Sequence, residues 1–155
     1  TITGGKWTSY RLMAEDTIDR AIAKGLIDRR KCRTRSLKIH GWRPAPNLQD
    51  HLYVYGSDQD AIRALMAEQP ALAEPLSAKY GYTAAEVVWA VREEMAQTVE
   101  DVLARRVRLL FIDAREARQA ARRVAEIIAA ERGHDAEWIE AQVASFCAVA
   151  DNYIV

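Results

Sequence analysis

The chain is 155 residues long, with 22 Lys+Arg against 22 Asp+Glu, 50% hydrophobic and 28% charged residues, 7 Gly and 4 Pro. That is enough chain for one domain with its own core, and it is neither disordered nor low-complexity in composition. The zero net charge argues against a general nucleic-acid coat, and no apolar run reaches the ~18 residues that cross a bilayer.

The opening Thr-Ile-Thr-Gly-Gly has no initiating Met, basic start or apolar leader, and reads as a piece of a longer protein. Residues 8–24 predict a helix. Tyr10, Met13, Ala14, Ile18, Ala21 and Ile22 recur at spacings of three and four, Thr8 or Ser9 can cap its start, and Gly25 can end it. Residues 26–47 change character. Arg29, Arg30, Lys31, Arg33, Arg35, Lys38 and Arg43 face the single acid Asp28, and Pro44 and Pro46 forbid regular structure. Ser36–His40 and Leu52–Tyr55 are β-like stretches, expected to pair or to stay extended.

After Gly56 the chain predicts helix almost throughout. Ser57 with Asp60, Thr83 with Glu86, Thr98 with Asp101 and Asp113 with Glu116 have the spacing of capping boxes. They open helices near 58–69, 84–95, 99–112 and 114–132. Pro70 stops the first of these, Pro75 starts a short helical piece with Leu76 and Tyr80, and Gly133 ends the long one. Asp135 caps a last helix, on which Ile139, Val143, Phe146, Ala150 and Tyr153 form a packing seam. The expected fold is mainly α, with five to seven helices and at most a short β-element in the N-terminal third. Its parts are a glycine turn and helix (1–25), a basic connecting segment (26–56) and a helical domain (57–155).

Gly4-Gly5-Lys6-Trp7-Thr8-Ser9-Tyr10-Arg11 is the segment richest in chemistry. Two glycines allow close backbone approach, a helix start offers unpaired N–H groups, and Lys6 adds a full charge. Such a turn suits a phosphate or an electron-rich ring edge, although the spacing is neither a P-loop nor a Rossmann fingerprint. Glu100 and Asp101 with Arg105 and Arg106 read as a capping acid and helix-end cations rather than a catalytic set. His40, His51 and His134 share no metal spacing, and Cys32 and Cys147 stand apart with no metal partner. Trp89, Trp138 and Phe146 read as core or interface. The basic stretch from Arg29 to Arg43, with Trp42, is either a solvated loop or a patch that meets anionic lipid. On these features alone, the chain also suits a free-standing helical interaction module that binds anionic partners through residues 29–43.

Gly4–Arg11, with Met13-Ala14-Glu15-Asp16 after it, closely resembles the G-G-K-[WL]-T-[TS]-Y-R…A-E-[DH] segment of the FAD-dependent glycerol-3-phosphate dehydrogenases. Glu94-Met95-Ala96 and Thr98 through Arg106 resemble that family's C-terminal helical domain, roughly E-x-A-x-[TS]-x-x-D-x-[LI]-x-R-R. The resemblance implies a parent that oxidises sn-glycerol 3-phosphate to dihydroxyacetone phosphate and passes electrons through FAD to a membrane quinone. It implies that 1–25 is the trailing edge of the flavin domain and that the helical remainder caps it. Gly4, Gly5, Trp7 and Thr8 would then bind FAD, and Lys6 would meet the flavin or the substrate phosphate. No catalytic residue and no metal site would lie in this chain, which would be inactive and hold no FAD alone. Its partners would be the upstream flavin domain and, for the parent, substrate, quinone and an anionic membrane, with no nucleic acid. The parent would be cytoplasmic, peripheral at the inner face of the membrane. Without its neighbouring strands, the leader 1–8 is expected to be strained, re-paired or mobile.

Overall fold

The helix predicted over 8–24 forms in two steps: a 3-10 turn, Trp7–Ser9, runs into α1, Tyr10–Ala23. Gly25, at a left-handed φ of 69°, ends it, with its amide and that of Leu26 turned back to the carbonyls of Ile22 and Ala21. The computed structural model describes residues 2–154, so of the leader only Thr1 lies outside the described residues. It divides the chain into two units, Thr1–Trp42 and Arg43–Val155.

In the first unit no described residue is buried. The segment after α1 is strapped to it by polar contacts. The Arg11 guanidinium donates to Glu15 at 2.7 Å and to the Thr34 hydroxyl at 3.2 Å, and Arg35 reaches Glu15 at 3.4 Å. Ser36–His40 is not a strand. Leu37 and Ile39 are exposed, the Trp42 amide bonds the Ile39 carbonyl, and the Lys38 ammonium sits 3.9 Å over the Trp42 ring. A strand needs a neighbour to take its backbone bonds, and this segment curls onto itself instead. The leader is not re-paired either: it runs as a glycine turn straight into the helix start.

The second unit begins with a 3-10 stretch, His51–Asp58, capped by Asp50, whose side chain accepts from the Leu52 amide. The Tyr-Val-Tyr run is therefore helical, against the expectation of a strand. In a 3-10 turn, residues i and i+3 share a face. That aims Leu52 and Tyr55 together at Ile62 and Ala85, leaving Tyr53 and Val54 exposed. Asp58, not Ser57, is the N-cap of α2, Gln59–Glu68. A 3-10 turn, Pro70–Ala73, follows. The helical piece expected from Pro75 does not form. The Leu76 amide bonds the Tyr82 carbonyl, the Ala84 amide bonds the Glu74 carbonyl, and Pro75 and Thr83 form an isolated bridge. These contacts close a loop where the helix was expected.

Thr83 and Glu86 make the expected capping box on α3, Ala84–Glu93. The helix expected over 99–112 is broken. Thr98 and Asp101 exchange capping bonds, but a π turn spans Asp101–Arg106, with the Val107 amide on the Val102 carbonyl. Arg108 then takes φ 59°, and only the short α4, Leu109–Ile112, follows. Asp113 caps α5, Ala114–Arg132, through the Glu116 amide, and Asp135 caps α6, Ala136–Asp151, through that of Trp138. Ala117, Ala121, Val124, Ala125 and Ile128 are fully buried along α5. These small side chains allow α3 and α6 to approach closely. Phe146 and Ala150 of the predicted seam are buried, Ile139 and Val143 pack against them, and Tyr153 is exposed against Phe111. Among the described residues there is no strand, and the fold is mainly α, as expected.

Candidate functional site

The glycine turn is built from backbone first. Gly4 and Gly5 have φ values of 75° and 106°, a region other residues rarely adopt. A Cβ at Gly5 would also press on the Met13 thioether, which would have to move. Ser9 closes the turn: its hydroxyl accepts from the Lys6 amide at 3.2 Å, and its own amide donates to the Lys6 carbonyl at 2.9 Å. That is the first hydrogen bond of the helix, so the amides of Trp7 and Thr8 precede it and lie at the positive end of its dipole. Lys6 and Thr8 are exposed, and Trp7, 86% exposed, stacks on Tyr10 at 5.3 Å. The sequence-predicted residues Gly4, Gly5, Lys6, Trp7 and Thr8 are thus all exposed. Gly4, Gly5, Lys6 and Trp7 line a shallow concavity of about 560 Å³ with Ile2, Tyr10 and Met13. Amides, one cation and one hydroxyl facing outward fit an anionic or electron-rich edge, which a flavin would offer.

Three polar clusters lie in the second unit. Glu86, 1% exposed, accepts from the Thr83 amide at 2.7 Å and the Tyr55 hydroxyl at 3.2 Å, and His51 Nε2 lies 3.2 Å away. Burial, then the nearby Glu86 charge, pushes the Tyr55 hydroxyl far up. His51, whose spacing suggests no metal partner, is instead a partner of Glu86. The capping-box spacing marked Glu86 as a helix-start residue, but nothing in the spacing showed its burial. The second cluster surrounds the π turn. Burial alone would raise Asp101, but the amides of Gln97 and Thr98, the Thr98 hydroxyl and Arg105 hold it below the usual carboxylate range. Arg105 bridges Glu100 and Asp101, and Arg106 binds the Glu94 carbonyl.

A third set anchors the 76–80 loop. The buried Ser77 hydroxyl donates to Glu116 at 2.6 Å, and Lys79 reaches Glu116 and Asp113. Ser77 and then Lys79 hold Glu116 low, and the Glu116 amide and Lys79 hold Asp113 low. No group of three or more His, Cys, Asp or Glu is placed to hold a metal among the described residues. His134 stacks on Trp138 at 4.2 Å. Both cysteines are free, with Cys32 Sγ 3.1 Å from the Thr34 hydroxyl. No helix among the described residues is long and apolar enough to cross a membrane.

Residues 1–139 match the family described as the C-terminal domain of alpha-glycerophosphate oxidase. A mitochondrial glycerol-3-phosphate dehydrogenase of Arabidopsis thaliana is 35% identical over 87% of this chain and 26% of its own length. A mitochondrial glycerol-3-phosphate dehydrogenase of Mesocricetus auratus is 32% identical over 90% of the chain and 21% of its own length. A glycerol-3-phosphate dehydrogenase of Mycobacterium leprae is 32% identical over 94% of the chain and 28% of its own length. The chain thus spans about a quarter of the length of these relatives. No solved structure matches it.

Proposed function

The chain belongs to the family of the C-terminal domain of alpha-glycerophosphate oxidase, and from that premise we propose that it completes a flavoprotein that oxidises sn-glycerol 3-phosphate to dihydroxyacetone phosphate. FAD, when bound beside this turn, would supply the two-electron acceptor chemistry for oxidation of the substrate's carbinol carbon, with a quinone as the onward electron acceptor. The proton acceptor for the substrate hydroxyl would lie upstream of Thr1. Residues 1–25 would form the trailing edge of the flavin domain. The turn's glycines and the Trp7 and Thr8 amides would support the electron-rich edge of the flavin, and the Thr8 hydroxyl would add a bond. The Lys6 ammonium would meet the flavin or the substrate phosphate.

The observation that carries this reading is the open turn: two left-handed glycines, two amides ahead of the first helical hydrogen bond, an exposed lysine and an exposed threonine in consecutive positions. The first unit supports it further, because a unit of about 40 residues with no buried side chain among those described cannot stabilise itself and needs a larger body to cover it. A few donors at one helix end cannot hold FAD, so the chain alone would be inactive and colourless. It would act as a cap that steadies the flavin domain.

The test is the full product of the parent reading frame, with sn-glycerol 3-phosphate added anaerobically. Flavin absorbance that bleaches on addition supports the reading. A yellow product that does not bleach removes this substrate, and a colourless one removes the flavin and favours a self-standing helical module. In a bleaching enzyme, Lys6→Ala should raise KM for the phosphate ester on the order of ten-fold or more, as expected when a charged bond is lost.

A second element concerns the membrane. Arg29, Arg30, Lys31 and Arg33 are exposed, and Trp42 is 46% exposed beneath Lys38. Each cation contributes about 1 kcal/mol near an anionic leaflet. We propose that this stretch holds the enzyme peripherally to the inner face of the cytoplasmic membrane, where a quinone is at hand. Co-sedimentation with phosphatidylglycerol vesicles, but not with phosphatidylcholine vesicles, is expected; equal binding to both would end this part of the reading.

A further inference from the structure

The glycine turn has its own support, centred on the Ser9 hydroxyl. That hydroxyl accepts from the Lys6 amide at 3.2 Å, and its own proton has two acceptors, the Lys6 carbonyl at 3.1 Å and the Met13 Sδ at 3.6 Å. The Ser9 amide donates to the same carbonyl at 2.9 Å. Both backbone polar groups of Lys6 are therefore tied to Ser9. The Met13 thioether lies against Gly5, in the space a Cβ would take.

Lys6 follows two glycines, Gly4 and Gly5, whose φ values are both positive. Glycine restricts the chain least of all residues, so nothing on that side fixes where Lys6 sits. The bond from the Lys6 amide to Ser9 does so from the helix side. It is the reciprocal half of a capping box, made by a serine where Glu or Gln is usual. A hydroxyl on the β-carbon is a shorter tether than a carboxylate side chain and has less rotamer freedom to lose. The bond also takes the Lys6 amide out of use, and the donors left at the helix start are the amides of Trp7 and Thr8. Lys6 is exposed, and the first unit has no buried residue among those described, so water can replace Ser9 without loss to a core. Removing the hydroxyl therefore acts on the shape of the turn rather than on the fold.

We propose that Ser9 is the positioning residue of this turn: it fixes the Lys6 backbone, so that the Lys6 ammonium and the Trp7 and Thr8 amides meet FAD in one set arrangement, with Met13 backing Gly5. The role rests on the reading above that the turn lies beside a flavin. It asks only for a hydroxyl on the β-carbon, so threonine would serve and alanine would not. A displacement of about 1 Å in such a site can cost on the order of a hundred-fold in function, which is why a short tether outside the ligand contacts has a measurable effect.

The test compares the full product of the parent reading frame with its Ser9→Ala and Ser9→Thr variants. Exchange of the Lys6 amide, read by mass spectrometry with fragmentation to single residues, should quicken about ten-fold in Ser9→Ala, as for one lost hydrogen bond. The dissociation constant for FAD should rise about five-fold, with the melting temperature unchanged within about 2 °C. Ser9→Thr should return both exchange and FAD affinity to their starting values. Unchanged Lys6 exchange in Ser9→Ala, faster exchange with unchanged FAD affinity, or a loss that Ser9→Thr does not restore would each overturn the proposal. A melting temperature lowered by several degrees would place Ser9 in the fold and overturn it too. The unsubstituted protein keeps the two readings apart. If it is colourless and takes up no FAD, both fall; if it is yellow and Ser9→Ala binds FAD equally well, only the role of Ser9 falls.

Discussion

The two units of this chain are held by different forces. Residues up to Trp42 contain a well-formed helix but, among the described residues, no buried one, and Glu15 with Arg11 and Arg35 ties the following segment to α1. From Arg43 onward, α3, α5 and α6 surround alanine, valine and isoleucine side chains with no exposure, and ion pairs decorate the outside. Helical pattern alone therefore does not make a fold. α1 has apolar spacing and a glycine stop like α5, yet Tyr10, Leu12 and Ile18 are all more than half exposed. What separates the units is whether the apolar face meets another one.

The largest expected effect tests the interior of the second unit. Phe146, 1% exposed, lies in its core, and Phe146→Ala should cost about 3–5 kcal/mol in urea unfolding. Ile18→Ala in the first unit should change the same measurement by under about 0.5 kcal/mol. Near-equal losses would mean that the first unit has an interior after all. Next comes Glu86→Ala, which strands the Tyr55 hydroxyl and the Thr83 amide at a buried position and should cost about 1–3 kcal/mol.

Asp113→Ala removes the α5 cap and should cost about 1 kcal/mol. It also bears on acid stability. Asp101, Asp113 and Glu116 are all held below their ordinary values. Their stabilising contribution is complete above the ordinary carboxylate range and is lost as pH falls through the lowered folded values, below about pH 4. Asp113→Asn should therefore flatten the acid limb of the stability curve.

The first unit should respond to salt before the second. Glu15 is held low by its bond to Arg11, with Arg35 adding to the effect. At about 1 M salt the screening length falls to roughly 3 Å. Amide exchange in residues 27–42 should then accelerate while α5 stays protected; uniform exchange would erase the contrast. One further change is expected to be a gain. Met95→Gly relieves a left-handed φ and should stabilise the 155-residue chain by about 1 kcal/mol in urea unfolding.

The amino-acid order by itself determined the mainly α class, the starts of α3, α5 and α6, the ends at Gly25 and Gly133, and the glycine turn with its exposed lysine and threonine. These are local: a cap, a breaker or a left-handed glycine acts within one turn of chain, so spacing reveals it. Tertiary structure decided the rest. Leu52–Tyr55 has strand-like composition, but burying Leu52 and Tyr55 on the same side required a 3-10 turn. The 76–80 loop is drawn away from helix by Ser77 and Lys79 binding Glu116, 37 residues or more further along. The π turn breaks a helix whose capping signal was correct, and Glu86 is buried by partners from the 51–55 stretch as well as its own cap. Such outcomes depend on contacts between segments distant in sequence, and no local pattern encodes which face of a helix will find a partner.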